Sequence, residues 1–224
     1  MSELKQYSLD EIGQVLAEGR FPISGITRLG SAEFHFREPA DHLGVVLHSG
    51  SRVRPGVLDA MAVELDDRFR EEDPYTDYLV RDFPLQLIAR DSRFEYDLNW
   101  EIEKSVYTAD QRKWGLQVWK RPLTTAEMGM TYNKYREFHE LLDLVMAYIL
   151  KRNDHAVLFD LHSFCYQRNK RMAWWEDTRP EINLGTRSIN RKHFTPMIDQ
   201  FLEGVSGIIL DGHSLRVAEN KVFP

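Results

Sequence analysis

The sequence predicts an α/β fold: a single-domain sandwich built on a mixed, largely parallel sheet flanked by helices. Three observations carry that prediction. Short apolar runs rich in Val, Leu and Phe, such as Leu43 to Leu47 and Ala156 to Asp160, are too brief for helices and read as buried strands of a parallel sheet. Helical patterns alternate with these runs along the chain, the order expected of an α/β protein. The chain has 224 residues, 42% hydrophobic and 29% charged, enough for one substantial domain with a buried core.

Taken in order, Ser8 to Gly19 reads as a helix: Ser8 is the N-cap, Glu11 completes a capping box, and Gly19 stands at the far end. Its apolar positions, Ile12, Val15 and Leu16, form one narrow stripe. A short strand is predicted at Ala32 to Phe36, and the next runs from Leu43 into His48. A loop of Ser, Arg and Gly leads to Pro55 and Gly56. The acidic run Glu64 to Asp73 reads as a solvated surface ending in a helix start, with Asp73 as N-cap and Pro74 in the first helical position. Leu85 to Ile88 and Phe94 to Leu98 are strand candidates separated by a polar turn. Residues 101 to 130 show no period and, with Trp114, Trp119 and Pro122, suggest an irregular excursion. Thr131 to Lys151 is the longest predicted helix, with Tyr135, Phe138, Leu142, Val145 and Ile149 on one face and His139 at its flank. The polar loop Tyr166 to Arg179 is followed by a strand and turn at Glu181 to Thr186, a last helix from about Lys192 to Leu202, and a closing strand within Ser214 to Phe223.

Composition excludes several classes. A net charge of -6 argues against a nucleic acid or an anionic membrane surface as the main partner, which leaves a small molecule or peptide. The single cysteine, Cys165, allows no intrachain disulfide and no thiolate zinc knuckle, as expected of a reducing compartment. No signal-peptide pattern and no apolar run near the ~18 residues of a membrane span is present, so a soluble cytoplasmic protein is expected.

The chemistry gathers at two matching strand ends. Leu43-Gly-Val-Val-Leu47 delivers His48-Ser49-Gly50, and Ala156-Val-Leu-Phe-Asp160 delivers Leu161-His162-Ser163. Parallel sheets place ligands beyond the carboxyl ends of their strands, so neighbouring parallel strands would bring both imidazoles within reach of one metal ion. A catalytic site of that type needs a third ligand, which an acidic residue supplies: Asp73 or Glu72 in the acidic run. Asp160, two residues before His162, points to the same face and would orient its imidazole. The competing reading for each histidine is an ordinary strand-end residue bonded to backbone. Neither Ser49 nor Ser163 lies in a Gly-x-Ser-x-Gly elbow, and Cys165 has no identified base, so nucleophilic catalysis is disfavoured.

Taken together, these segments resemble the N-formylglutamate amidohydrolase family, from about Leu43 to Pro224. The resemblance rests on His48-Ser49-Gly50, the acidic segment Asp73 to Leu79, Arg93 with Asp97-Leu98-Asn99, the aromatic-His pair Phe138-His139, Asp160 to Ser163, and Glu181 to Thr186, in that order. It implies a zinc-carboxypeptidase-like fold, also described as phosphorylase/hydrolase-like, carrying one zinc ion. It further implies hydrolysis of the amide bond of a small N-acyl amino acid resembling N-formyl-L-glutamate. By that resemblance His48, Asp73 and His162 bind the metal, with Glu72 as the alternative carboxylate. Arg93, Asn99 and Arg187 are then candidates for gripping substrate carboxylates, and His139 for polarising the amide.

Two departures stand out. Trp100 occupies the place where the family has an arginine, and an indole cannot grip a carboxylate with two parallel hydrogen bonds, which opens the substrate to other acyl amino acids. The chain also stops at Pro224, where the family continues to a strand bearing its general base. Either the sequence is a truncated form lacking that C-terminal segment, or the base comes from elsewhere, with Glu181 as first choice. The alternatives are a non-catalytic metal or small-ligand binding protein on the same fold, and a carboxypeptidase- or deacylase-like hydrolase whose bulkier substrate meets Trp100, Trp174 and Trp175.

Overall fold

A computed structural model describes residues 4–108, 112–113, 115–164 and 179–222. Trp114, Cys165, Trp174, Trp175 and most of the loop from Tyr166 onward lie outside the described residues. The chain divides into two compact units, Met1–Cys165 and Tyr166–Pro224.

The first unit is built on a six-stranded sheet. In chain order its strands and helices are β1 (Gln6–Tyr7), α1 (Leu9–Glu18), β2 (Ile23–Thr27), β3 (Ala32–Phe36), β4 (His42–Val46), α2 (Pro55–Ala60), α3 (Leu65–Glu71), β5 (Leu85–Ala89), the hairpin β6 (Arg112–Lys113) and β7 (Leu116–Gln117), α4 (Thr125–Arg152) and β8 (Val157–Asp160). The sheet order is β1-β2-β3-β5-β4-β8. Only β3 runs antiparallel to its neighbours, so β5, β4 and β8 end at one common edge. This is the mixed, largely parallel sheet with flanking helices that the sequence predicts.

Local chemistry fixes the helices. Ser8 and Glu11 form the capping box of α1, and Gly19 closes it in the left-handed conformation at φ 66°. Ile12, Val15 and Leu16 are its buried stripe, as the pattern requires. Thr124 and Glu127 form a second capping box, so α4 starts six residues before the predicted Thr131. The apolar stripe alone marks only the part of a helix that faces a core, which is why its first turns escape a periodicity reading.

The central strands β4 and β5 are buried on both faces. Phe34, Phe36, Leu43, Val45, Leu85 and Leu87 pack against Ile12 and Leu16 of α1 and Phe138, Leu141, Val145 and Ile149 of α4. Each such side chain fully removed from water contributes roughly 1.5–3 kcal/mol. On the opposite face Val46 and Ile88 meet Val80, Phe83 and Leu161. A further cluster joins Val57, Ala60, Met61, Phe94, Tyr107 and Trp119 beside the sheet.

After the loop of Ser, Arg and Gly, Pro55 and Gly56 open the helix α2, with Pro55 at the first position. Two local predictions are corrected. The predicted helix start at Asp73-Pro74 is absent: helix α3 lies upstream inside the acidic run, and Thr76–Tyr78 form only a 3-10 turn. Tyr75 has φ 68°, left-handed backbone that no right-handed helix can contain. Phe94 to Leu98 forms turns instead of a strand, because its backbone bonds locally, with Glu95 N–H donating to the Ser92 carbonyl and Asp97 N–H to that of Ser105.

The second unit contains β9 (Ile182–Leu184), α5 (Thr195–Ser206), the hairpin β10 (Ile209–Leu210) and β11 (His213–Ser214), and β12 (Val217–Glu219). β12 pairs parallel with β9. The last helix therefore sits three residues later than predicted, and the closing strand is confined to three residues.

Beyond the sheet edge, the chain leaving β4 runs beside the chain leaving β5: Arg52 N–H donates to the Arg90 carbonyl and Ser92 N–H to that of Arg52. Gly50 is the point of closest approach, where a Cβ would lie 2.2 Å from the Arg90 carbonyl carbon and 2.6 Å from Asp91 N. Gly50→Ala is expected to destabilise the protein by about 1–3 kcal/mol, because backbone rather than a flexible side chain must give way. Gly129→Ala, in an exposed interior position of α4 with nothing within 4 Å, is expected to stabilise it by about 0.5–1 kcal/mol. Urea unfolding of both variants beside the wild type checks the pair.

Candidate metal centre

The common edge of β5, β4 and β8 carries the predicted site. His48 lies two residues beyond β4 and His162 two residues beyond β8. Because these strands are parallel neighbours, the rings meet with centroids 4.9 Å apart. Asp73 joins them from the segment after α3, where its backbone N–H donates to the His48 carbonyl at 2.9 Å. Asp73 Oδ2 lies 2.9 Å from His162 Nδ1 and 3.5 Å from His48 Nδ1, and Ser163 Oγ donates to Asp73 Oδ1 at 3.1 Å. His48, Asp73 and His162 each offer one ligand atom, all within 4.8 Å of one another.

The groups behind the triad decide its chemistry. His48 is 1% exposed, and its Nε2 lies 2.8 Å from Asp97 Oδ1, a fully buried carboxylate. The ionised carboxylate can only accept, so Nε2 carries the proton and Nδ1 keeps its lone pair. His48 Nδ1 is buried with no hydrogen-bond partner, and so is His162 Nε2. Asp160 Oδ2 lies 3.1 Å from that Nε2, close enough for an ion pair but not aligned for a hydrogen bond. A buried imidazole nitrogen without a hydrogen-bond partner, His48 Nδ1, faces the buried Asp73 carboxylate that His162 Nδ1 also meets, and this fits a bound cation, since such a group is otherwise costly to leave unpaired.

Asp97 is anchored in turn. Arg93 Nη2 donates to its Oδ2 at 2.7 Å, the Tyr107 hydroxyl donates to the same oxygen, and the Asn99 backbone N–H donates to Oδ1 at 3.0 Å. Burial pushes the Asp97 carboxyl up, but His48, Arg93 and Tyr107 outweigh it and hold it well below the usual carboxylate range. Burial likewise opposes ionisation of Asp73, and the His162 and His48 imidazoles beside it hold it low. For His162, burial favours the neutral ring, but Asp160 and Asp73 push it up to about 10. A cation bound by the His162 ring at neutral pH would therefore displace a proton.

The remaining predicted residues fall in different settings. Glu72 is buried beside Asp73 but accepts from the Ser92 hydroxyl, and burial raises its carboxyl. Arg93 is only 13% exposed and reaches Asp97 and the Glu71 carbonyl. Asn99 and Trp100 are exposed on the turn that follows Asp97. His139 lies against Tyr135 on α4 with its Nε2 buried, and burial lowers its pKa. Glu181 and Arg187 belong to the second unit. There Glu181 accepts from His213 Nε2 and from Arg216 N–H, both at 3.0 Å, while Arg187 is exposed.

Sequence reasoning missed the roles of Asp97, Tyr107 and Ser163 around the triad. Arg93 and Asp97 at a spacing of four were visible as a motif. Nothing in their spacing says that the carboxylate turns toward an imidazole 49 residues away.

An α/β sheet with two histidines and a carboxylate converging beyond its parallel strand ends defines a protein with a ligand- or metal-binding edge. The chain belongs to the N-formylglutamate amidohydrolase family of hydrolases, whose model matches residues 41–224. Two crystal structures share the fold. One is of an N-formylglutamate amidohydrolase from Ralstonia eutropha JMP134, with TM-score 0.64 and 18% identity, covering 85% of this chain and 76% of the other. The second is of a gene product from Agrobacterium tumefaciens, with TM-score 0.61 and 18% identity, covering 86% and 73%. No curated protein matches the chain. Among the described residues no helix is long and apolar enough to cross a membrane.

Two outcomes follow from this geometry. Asp97→Asn is expected to weaken metal binding by about 10–100-fold, measured by competition with a chromogenic chelator, because the amide no longer fixes the His48 tautomer. In the metal-free protein, the His162 contribution to stability is full below pH 6.5 and is lost as pH rises toward about 10. The contributions of Asp73 and Asp97 are full above pH 3.8 and are lost as pH falls below it. Denaturant midpoints across this range should decline on both sides, and His162→Gln should remove much of the alkaline decline.

Proposed function

We propose that this protein is a zinc-dependent amidohydrolase that cleaves the amide bond of a small N-acyl amino acid of the N-formyl-L-glutamate type. The observation that carries the reading is the convergence of buried His48 and Asp73 with half-buried His162, with His48 Nδ1 lacking a hydrogen-bond partner, in a chain of this family. Two nitrogen donors and one carboxylate suit zinc better than magnesium or calcium, which take oxygen ligands.

The chemistry that such an ion supplies is Lewis acidity, which acidifies water and polarises an amide carbonyl. His48 would hold it through Nδ1, Asp73 through a carboxylate oxygen and His162 through one ring nitrogen. Asp160 orients the His162 ring from its other side, and Ser163 steadies Asp73. Asn99 and Arg187 are the exposed groups assigned to the substrate carboxylates, while Arg93 acts from behind by neutralising Asp97. Glu181 is assigned as the proton acceptor that takes the water's proton and passes it to the leaving amine.

One observation favours a second reading, a non-catalytic metal or small-ligand binder. Both Glu181 oxygens are engaged, by Arg216 N–H and by His213, and these hold its pKa below the ordinary range, which makes it a weaker base. Trp100 in the turn beside Asn99 supports acyl amino acids bulkier than formylglutamate as the substrate class.

Elemental analysis of the purified protein is expected to give about one zinc per chain, lost in His48→Ala and in His162→Ala. Turnover of a panel of N-formyl and N-acyl amino acids should disappear with the metal, and Glu181→Gln should lower kcat by about 10²–10⁴-fold. Full zinc occupancy with no substrate turned over would establish the binder instead, and absence of metal after zinc reconstitution would refute the hydrolase mechanism and leave only a small-ligand binder.

A further inference from the structure

Helix α4 touches the turn from Asp97 to Trp100 at two points. Tyr135 Oη donates to the Trp100 carbonyl at 2.9 Å. One helical turn later, His139 sets its ring against the Leu98 carbonyl. The two rings are in tilted contact, with centroids 4.3 Å apart and 40° between their planes. Residues four apart share a helix face, so the two rings make one surface against the turn, hydrogen-bonded to the Trp100 carbonyl through Tyr135 and set beside the Leu98 carbonyl through His139.

Asn99 sits between those carbonyls. Its backbone N–H donates to Asp97 Oδ1, the oxygen that also takes the His48 Nε2 proton, and Trp100 N–H donates to the Asp97 carbonyl at 3.3 Å. The Asn99 side chain is exposed. An exposed amide on a backbone held at the residue before and the residue after is a preorganised polar contact, and it stands one shared oxygen away from the His48 ring. His139 Nε2, by contrast, is buried. A nitrogen shut away from solvent is poorly placed to polarise a substrate, whereas the ring is well placed to fix backbone.

We infer that Tyr135 and His139 are positioning residues: with their rings in contact, they hold the Asp97–Trp100 turn so that Asn99 presents its amide to the polar end of the substrate beside the metal centre. The substrate part of this inference rests on the amidohydrolase reading. The bracing of the turn stands on the hydrogen bonds and ring contact alone.

Tyr135→Phe deletes one hydroxyl at an exposed contact and His139→Asn shortens the second tip. Both are compared with wild type in zinc content, steady-state kinetics on the best N-acyl amino acid, and backbone amide hydrogen exchange. Expected for each are unchanged zinc content, kcat within about twofold, KM raised about tenfold, and exchange at Asn99 and Trp100 accelerated about tenfold without change in the interior of α4. The double variant should show less than the product of the two single effects, since both brace one turn. A fall in kcat at constant KM would place these side chains in the chemistry and overturn the inference. So would unaltered exchange at Asn99 and Trp100 in both variants. If wild type hydrolyses no N-acyl amino acid, the amidohydrolase reading and the substrate role of Asn99 fall together, and the exchange rates decide the bracing by themselves.

Discussion

The hydrogen bond from His48 Nε2 to Asp97 governs the centre of this molecule. A neutral imidazole has one donor and one acceptor, and a buried carboxylate that can only accept leaves Nδ1 as the free electron pair. That free pair faces Asp73 and His162. Without Asp97 the ring could equally present a proton to the same space, and three potential ligands would not be a ligand set.

A carboxylate can serve this way inside a protein only if its own charge is compensated, since removing an ion from water costs several kcal/mol. Arg93 and Tyr107 provide that compensation on the second oxygen. The same solution recurs along the short segment that carries Asp97. Asp91 meets Lys134 and the Tyr96 hydroxyl, and Glu95 meets Arg54, which also reaches Thr131. Three buried acids at 91, 95 and 97 are thus each tied to partners of their own, and two of the ties end on α4. Helix α4 accordingly has two duties: its apolar face buries the sheet, and its polar positions hold the segment from which Asp97 reaches His48.

Parallel pairing of β4 with both β5 and β8 then sets the distances. Strands ending at one edge deliver His48 and His162 side by side, and the close passage at Gly50 locks the chain after β4 to the chain after β5. Asp73 arrives through a backbone bond to His48 itself, so the third member is placed by the first. The left-handed Tyr75 belongs to the same arrangement, because a helix beginning at Pro74 would carry the chain away in a regular path instead of the turn that follows Asp73.

Much of this was legible in the residues alone. Capping boxes, the apolar stripe of α1 and the two strand ends in His-Ser depend on local spacing, which is why α1, β3, β4, β5 and β8 and the pairing of His48 with His162 could be read directly. The choice of Asp73 over Glu72 could not, since adjacent carboxylates differ only in which way the folded chain turns them: one toward two imidazoles, the other toward Ser92. Phe94 to Leu98 has the composition of a strand and forms turns because its acids find partners on distant elements. Tyr135 and His139 show the same limit, for their helical spacing is written in the sequence while the carbonyls they meet are not. Sequence determines periodicity, caps and the order of chemical groups, because those act within a few residues. Which nitrogen is free, which acid faces it and which helix holds the turn are decided only when elements far apart in the chain are packed together, since burial and long-range partners do not exist before then.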